Sequence, residues 1–328
     1  MIPKDMTVVE ATAAGGPEVL AVARRPVPDP RPGEVLVKVT AAGVNGPDIV
    51  QRKGLYPPPK GASDLLGLEV SGEVVAAGVD VADWKAGDRV CALTNGGGYA
   101  EYVAVDAAHC LPVPDGVDET DAAGLPETYF TVWSNVFLDA NIREDANFLV
   151  HGGAGGIGST AIQLGSALGL RVFTTAGSEE DCAFCTDLGA ERAIDFRSED
   201  FVEIVREAGG ADIILDIIGG DYVARNIKAA RHDGRIIQLA FNRGSKVEID
   251  LMPIMLKRLT YTGSTLRSRP DDFKARVAKA LRETAWPLFS AGKLRAVTYK
   301  VLPFTEATAA HEMMEAAGHR GKILLAPR

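Results

Sequence analysis

The chain has 328 residues, a formal net charge of −9 and 46% hydrophobic residues. This length is greater than that of a typical domain with one hydrophobic core and is typical of two globular domains. Lysines and arginines are scattered along the sequence, which argues against a nucleic-acid partner. No apolar run approaches the length of a membrane span, and residues 1–5 lack the apolar stretch of a secretory signal. We therefore expect a cytoplasmic protein with no membrane partner.

The first third of the sequence predicts a small β-rich domain. A Pro-rich connector at 26–33 precedes an alternating run at 34–39, which indicates a half-buried strand. Further short strands are expected at 70–75, 89–93 and 99–105, with Gly and Asp between them. Several short strands of this kind are typical of a partly open barrel.

From about residue 125, continuous apolar strands alternate with helices. Strands are predicted at 148–150, 171–175, 193–196, 213–217 and 235–240, and helices at 159–168, 179–188, 199–208, 221–231 and 271–291. Strands that are apolar on both faces indicate a parallel, doubly wound sheet. The tail contains a strand, a helix at 305–317 and a strand at 323–325, and we expect it to return to the first domain. The predicted domains are 1–124 with 292–328, and 125–291.

A glycine loop stands between the strand at 148–150 and the following helix. Gly153, Gly155 and Gly158 fit the spacing G-x-G-x-x-G. A helix that begins in such a loop presents unpaired N–H groups and partial positive charge, which suit a pyrophosphate. The alternative is a tight turn with no ligand. We expect a dinucleotide site whose contacts include Gly153, Gly155, Gly156, Ile157 and Gly158.

The end of the second strand of this fold indicates which nicotinamide cofactor binds. NAD-binding sheets commonly carry an acid there, whereas this strand ends in Ala176, Gly177 and Ser178. Small residues leave room for a 2′-phosphate, and Arg197, which follows Phe196, offers a counter-charge. Three acids at 179–181 oppose this reading, and Arg197 fits a surface role equally well. We expect NADPH, with NADH not excluded.

Two further sequence features complete the interpretation from the residues. Leu239, Phe241 and Asn242 lie at the end of the strand predicted at 235–240, at the edge of the sheet where ligands bind, and are predicted cofactor contacts. Cys182 and Cys185 have C-x-x-C spacing without a second pair or a nearby histidine, which favours helix packing over zinc.

Several segments together resemble one family of enzymes. They are 41–45, 48–56, 61–72, 126–131, the glycine loop, 218–220, 266–269 and 321–323. These segments resemble the zinc-independent quinone oxidoreductases of the medium-chain dehydrogenase/reductase superfamily, in particular the zeta-crystallin and p53-inducible quinone oxidoreductase-like group. The resemblance implies an α/β fold with a GroES-like barrel domain and a Rossmann domain. It also implies NADPH, and homodimers that form through edge strands of the Rossmann sheets.

The resemblance also bears on metal binding. Zinc members of the superfamily use a Cys and a His where this sequence has Asn45 and Leu68. Asn and Leu do not supply thiolate or imidazole ligands, so we expect no metal. Without a Lewis acid an alcohol is hard to oxidise, whereas an electron-poor quinone accepts a hydride directly.

The resemblance implies a set of site residues, carried over by matching motifs. The catalytic candidates are Asn45, Asp48, Tyr56 and Tyr129. Asn45 would donate to the substrate oxygen that becomes negative, although Asn beside Gly also fits a turn. Asp48 also fits a loop-ordering role, and Tyr56 a packing role. Cofactor contacts carried over by the motifs are Asn45, Thr131, Arg267 and Lys322, although an isolated Arg or Lys also fits a solvated surface. They add to Ser178, Phe196 and Arg197, which the end of the second strand and the residues after the next strand indicate.

The sequence therefore supports three hypotheses of function. The first is an NADPH-dependent quinone oxidoreductase. The second is an NADPH-dependent reductase of enone or enoyl double bonds, since the same hydride geometry serves both substrates. The third is an NADPH-binding protein with little turnover. The partner in the first two is a small-molecule quinone or enone.

Overall fold

A computed structural model describes residues 1–327. The chain forms two compact units, one of residues 1–130 with the residues from 267 onward, and one of residues 131–266. Residues 125–130 and 267–291, which the sequence analysis places in the dinucleotide-binding domain, thus belong to the first unit. The α/β class is confirmed, because each unit combines a sheet with helices.

The first unit is built mainly on antiparallel strands. They are β1 (Asp5–Ala11), β2 (Leu20–Pro26), β3 (Glu34–Val44), β4 (Glu69–Ala77), β5 (Arg89–Leu93), β6 (Tyr102–Asp106), β7 (Cys110–Pro112), β14 (Thr298–Pro303) and β15 (Lys322–Ala326). The main sheet has the order β14-β15-β3-β4-β5-β7, with β6 also paired to β3, while β1 and β2 form a hairpin. Strand β15 therefore lies inside the sheet, as the predicted return of the tail requires.

The helices of the first unit are short. They are α1 (Gly46–Arg52), α2 (Glu119–Ala122), α3 (Pro126–Val132), whose last two residues belong to the second unit, α9 (Asp271–Ala280), α10 (Trp286–Ser290) and α11 (Ala307–Ala316). A π-helical turn at Leu281–Ala285 joins α9 to α10, so the single helix predicted at 271–291 is interrupted. The core comprises buried valines of β3 and β4 with Phe304, Ile323 and Leu325.

The second unit is a parallel sheet flanked by helices. Its strands are β8 (Asn147–His151), β9 (Arg171–Ala176), β10 (Arg192–Asp195), β11 (Ala211–Asp216), β12 (Ala230–Gln238) and β13 (Thr260–Gly263), and its helices are α4 (Gly156–Ala167), α5 (Glu179–Asp187), α6 (Phe201–Glu207), α7 (Tyr222–Ala229) and α8 (Met252–Lys257). The order β10-β9-β8-β11-β12-β13 reverses direction between β8 and β11. In such sheets, ligands bind at this switch point, outside the carboxyl ends of the strands.

Candidate functional site

The glycine loop lies at the switch point of the second unit. Helix α4 begins at Gly156, directly after the loop, with Gly155 as its N-cap. A Cβ atom on Gly158 would lie 2.2 Å from the Gly152 carbonyl oxygen, so only glycine fits there. On Gly155 the nearest atom would be 3.7 Å away, which leaves an open side. The N–H groups of the first turn have no intrahelical partner, and the residues present fit a pyrophosphate.

The end of β9 carries the residues expected near the cofactor ribose. A Cβ atom on Gly177 would lie 3.4 Å from the Phe196 ring and 3.8 Å from Arg197 Nη2. Arg197 and this strand end are therefore neighbours. Ser178 caps α5, and its Oγ accepts the Asp181 N–H at 3.1 Å. The acids at 179–181 occupy the first turn of α5, where they stabilise the helix N-terminus, which explains their presence without a cofactor role.

The loop after β12 brings the remaining predicted contacts of the second unit to the same edge of the sheet. The Leu239 N–H donates to the Asp216 carbonyl at 2.8 Å, and the Asn242 N–H donates to the Ile217 carbonyl at 3.3 Å. Phe241 is exposed. Both this loop and the glycine loop thus border the carboxyl ends of β8 and β11.

A buried polar cluster in the first unit surrounds Asn45, which precedes α1. Lys322 Nζ donates to Asn45 Oδ1 at 2.5 Å and contacts Glu69 Oε1 at 2.7 Å. Asn45 Nδ2 donates to Glu69 Oε1 at 2.8 Å and to the Gly43 carbonyl at 3.4 Å. All three side chains are buried. The ammonium and the carboxylate together fix the orientation of the Asn45 amide.

Glu69 connects this cluster to α3. Its Oε2 accepts the Glu127 N–H at 2.8 Å. A Cβ atom on Gly43 would lie 2.0 Å from Glu69 Oε1, so the missing side chain at Gly43 makes room for the carboxylate. Burial, and then the charge of Glu69, raise the pKa of the partly buried Glu127 carboxyl to about 8, against the opposing effect of Lys322. Glu127 is therefore a protonated acid near neutral pH.

Asp48 orders the backbone around Asn45. Its Oδ2 accepts the Asn45 N–H at 2.9 Å, and its Oδ1 accepts the Gly67 N–H at 2.9 Å. The side chain is fully buried, and burial raises its pKa to about 6 although both backbone bonds lower it. These contacts are those of a loop-ordering residue. A catalytic role for Asp48 stays a prediction.

Arg267 and Tyr56 lie together in the first unit. Arg267 donates to the Asn95 carbonyl from Nη2 at 2.6 Å and to Gln51 Oε1 from Nη1 at 2.6 Å. Its guanidinium carbon is 5.6 Å from the centre of the Tyr56 ring. Tyr56 is half-buried, and burial raises the pKa of its hydroxyl. Internal contacts thus hold Arg267, which sequence reasoning assigns to the cofactor.

Tyr129 and Thr131 lie on α3. The Tyr129 ring packs against Trp286 and Phe289 with centroid distances of 5.7 and 5.5 Å, and its side chain is 1% exposed. Its hydroxyl has no hydrogen-bond partner within residues 1–327. The Thr131 carbonyl accepts from Asn135 Nδ2 at 2.8 Å. Both residues remain predictions as site residues.

Sequence reasoning missed two residues of the polar cluster, Glu69 and Glu127. Glu69 stands between Leu68 and Val70 at the start of a buried strand, and a carboxylate in that position is a signal, since buried charges need partners. Glu127 gives no comparable signal, because its surroundings depend on Glu69 and Lys322, which are remote in sequence. In the described part of the chain, no three His, Cys, Asp or Glu side chains form a metal-binding group. No helix there is long and apolar enough to cross a membrane.

Two family models match the chain. The model described as alcohol dehydrogenase GroES-like domain covers residues 31–115, and the model described as zinc-binding dehydrogenase covers residues 156–283. The chain is 32% identical to the quinone oxidoreductase of Sus scrofa, and the match covers 98% of each protein. It is also 32% identical to a mycocerosic acid synthase-like polyketide synthase of Mycobacterium tuberculosis, over 90% of this chain but only 14% of that protein.

Solved structures show the same fold. An NAD-dependent alcohol dehydrogenase superposes with a TM-score of 0.86 at 31% identity, covering 98% of this chain and 100% of the other. Escherichia coli quinone oxidoreductase complexed with NADPH gives 0.85 at 27% identity over 98% and 100% of the two chains. The CurK enoyl reductase gives 0.85 at 26% identity over 99% of each chain. This chain therefore belongs to the medium-chain dehydrogenase/reductase superfamily of oxidoreductases and is related over its full length to quinone oxidoreductases.

Proposed function

We propose that the chain is an NADPH-dependent quinone oxidoreductase that works without zinc. The observation that carries the proposal is the Lys322–Asn45–Glu69 cluster. The residue at the position of a zinc-ligating Cys is an asparagine whose Oδ1 contacts an ammonium at 2.5 Å. An ammonium that is itself paired with the Glu69 carboxylate thus orients and polarises the amide predicted to bind the substrate oxygen. The relation to quinone oxidoreductases over the full chain supports the same reaction.

The residues of the second unit fit the cofactor. The glycine loop and the N-terminus of α4 would hold the pyrophosphate, and Ser178, Phe196 and Arg197 the adenosine ribose with its 2′-phosphate. The loop from Leu239 to Asn242 would hold the nicotinamide end. When bound, the nicotinamide supplies a hydride. NADPH bound to a structural relative supports this choice, whereas a relative described as NAD-dependent keeps NADH as the alternative.

The residues of the first unit would manage the charge and the proton of the substrate. When a quinone accepts a hydride at one oxygen, the other oxygen becomes negative. The Asn45 N–H that reaches the Gly43 carbonyl at 3.4 Å makes only a long bond, so it is available to that oxygen. Glu127, protonated near neutral pH, would supply the proton that completes the hydroquinone. Tyr56 would contact the ring of the substrate.

The test is NADPH oxidation followed with 1,4-benzoquinone, 9,10-phenanthrenequinone and a crotonyl thioester, measured side by side. Turnover of the quinones supports the proposal. Turnover of the thioester alone would establish the second candidate, an enoyl reductase, which the CurK relative favours. Binding of NADPH without turnover of any substrate would identify a low-turnover NADPH-binding protein.

We also propose that the chain forms a homodimer through the edge of its parallel sheet. All four residues of the outer strand β13 are exposed. Leu251, Met252, Met255 and Leu256 beside it are also exposed by 54–65%. An open strand edge with apolar neighbours is a template for a second copy. Light scattering should give a dimer for the natural chain and a monomer for Thr262→Pro with Met255→Glu; a monomeric natural chain would refute the proposal.

A further inference from the structure

A chain of buried polar side chains crosses the switch point of the second unit. His151 is the last residue of β8, Asp216 is the last residue of β11, and Thr175 lies opposite His151 on β9. Asn226 joins them from α7. All four residues are 0–1% exposed. Buried polar groups are costly unless they are paired, so the pairing of these four defines one network.

The chemistry of the partners fixes the direction of two of these hydrogen bonds. Asp216 Oδ2 accepts from Asn226 Nδ2 at 2.9 Å, because a carboxylate only accepts. The Asn226 Oδ1 then faces His151 Nε2 at 2.7 Å, so Nε2 carries the hydrogen. Burial lowers the pKa of the imidazole and favours the neutral ring, in which Nδ1 accepts the Thr175 hydroxyl at 3.0 Å.

Each end of the network is anchored in a loop. At one end, the Gly152 N–H donates to Thr175 Oγ1 at 3.3 Å, where the glycine loop begins. At the other, Asp216 Oδ1 accepts the N–H groups of Ile218 at 2.6 Å and Gly219 at 3.1 Å. The Asp216 carbonyl also accepts the Leu239 N–H at 2.8 Å. The side chains therefore join the glycine loop to the loop after β11, and the main-chain carbonyls of Asp216 and Ile217 continue the connection to the loop after β12.

Aromatic rings hold the imidazole in this orientation. The Phe201 and Tyr222 ring centroids each lie 4.8 Å from the centroid of the His151 ring in edge-on contact. The Arg225 guanidinium lies 4.2 Å from the centre of the Phe201 ring. These rings exclude water from the imidazole, so the ring nitrogens depend on Thr175 and Asn226 for their partners.

We propose that His151 is a positioning residue, which through Thr175, Asn226 and Asp216 sets the distance between the loop that holds the pyrophosphate and the loop that holds the nicotinamide end. This inference rests on the proposed function, because it assumes that these loops bind one dinucleotide. A rigid spacing lowers the cost of binding a ligand that must engage both loops at once, and matters little to a fragment that engages one.

The experiment compares NADPH with 2′,5′-ADP, which contains only the adenosine half, by calorimetric titration. Thr175→Val removes the hydroxyl that links Gly152 to His151 and keeps the shape of the side chain. The matched control is Thr174→Val, on the same strand, whose buried hydroxyl donates to the Val150 carbonyl at 2.8 Å. Thr175→Ser keeps a hydroxyl and serves as the rescue variant.

Thr175→Val should weaken NADPH binding about tenfold and 2′,5′-ADP binding less than about twofold, whereas Thr174→Val should change the ratio of the two affinities little. Thr175→Ser should restore NADPH affinity. If Thr175→Val weakened the binding of both ligands equally, or lowered the melting temperature without changing either affinity, His151 would be a purely structural residue.

A measurement on the natural chain complements the variants. The nitrogen shifts of the His151 imidazole should report hydrogen on Nε2 at neutral pH, and a ring with hydrogen on Nδ1 alone would overturn the network. A natural chain that binds no nicotinamide dinucleotide would refute the proposed function and this inference together. Binding of NADPH without quinone turnover would refute only the function.

Discussion

The two units each bury a polar network, but the networks differ in charge. In the first unit, Lys322 and Glu69 form an ion pair around Asn45. In the second unit, the charged member of the network is the Asp216 carboxylate, which accepts N–H groups of Asn226, Ile218 and Gly219 rather than pairing with a cation. An ion pair beside an amide polarises it where charge develops, whereas a network of hydrogen bonds between loops mainly fixes their geometry. If the proposed function holds, we expect the first unit to stabilise charge on the substrate and the second to position the cofactor.

The largest expected effect breaks the ion pair. Lys322→Met leaves the Glu69 carboxylate buried without its cation, so the free energy of unfolding should fall by about 3–5 kcal/mol in urea denaturation. Adding Glu69→Gln should recover most of the loss. The control Lys53→Met removes an exposed ion pair with Glu315 and should cost less than about 1 kcal/mol. Equal losses of unfolding free energy in Lys322→Met and Lys53→Met would mean that the buried ion pair matters no more to stability than an exposed one.

A second prediction concerns the glycine loop. Gly158→Ala drives a Cβ atom into the Gly152 carbonyl, which should displace the loop and weaken NADPH binding on the order of 100-fold in calorimetric titration. Gly155→Ala has open space around its Cβ atom, so we expect an unchanged melting temperature and a loss of affinity caused only by crowding of the pyrophosphate. Similar melting temperatures for the two variants would contradict the assignment of Gly158 to packing.

The third prediction uses the titration of Glu127. Its folded-state pKa of about 8 lies above the ordinary 4.5, so the folded chain holds the proton more tightly, and the stability that this gives is lost as pH rises through 8. Glu127→Gln mimics the protonated acid. The free energy of unfolding of the variant, relative to that of the natural chain, should therefore rise by about 2 kcal/mol from pH 5 to pH 8.5, a value reduced for the partial exposure of Glu127. Denaturation of both proteins at each pH measures this difference. A stability difference between the two proteins that does not change with pH would show that Glu127 does not have a raised pKa in the folded chain.

The smallest expected effect concerns cofactor choice. Arg197→Ala should weaken NADPH binding about tenfold and leave NADH binding unchanged, because only NADPH carries the 2′-phosphate. Arg143→Ala, which breaks an ion pair with Asp212 in the same unit, is the matched control. Equal affinities of the natural chain for NADPH and NADH would remove the predicted preference.

The sequence predicted the second unit better than the first. Its buried strands are continuous apolar runs, and the glycine spacing marks where α4 begins. The hairpin of β1 and β2 was not predicted. Helix α8 and strand β13 were not predicted either, because their apolar residues are exposed and follow no burial pattern. Of the polar cluster, Asn45 and Lys322 were expected from motifs. Their direct contact was not, since it depends on the pairing of β15 with β3.

The position of Lys322 has a consequence for folding during synthesis. Lys322 and Asn45 are 277 residues apart in sequence, yet they share a hydrogen bond in the interior of the sheet. Residues 131–266 are complete before β15 is made, so the second unit has all of its strands while Glu69 still lacks its cation. Since domains generally fold as units as they emerge from the ribosome, we infer that the second unit folds first. Lys322 then completes the ion pair of the first unit, so a chain released before β15 is made would contain a folded second unit and an incomplete sheet in the first unit.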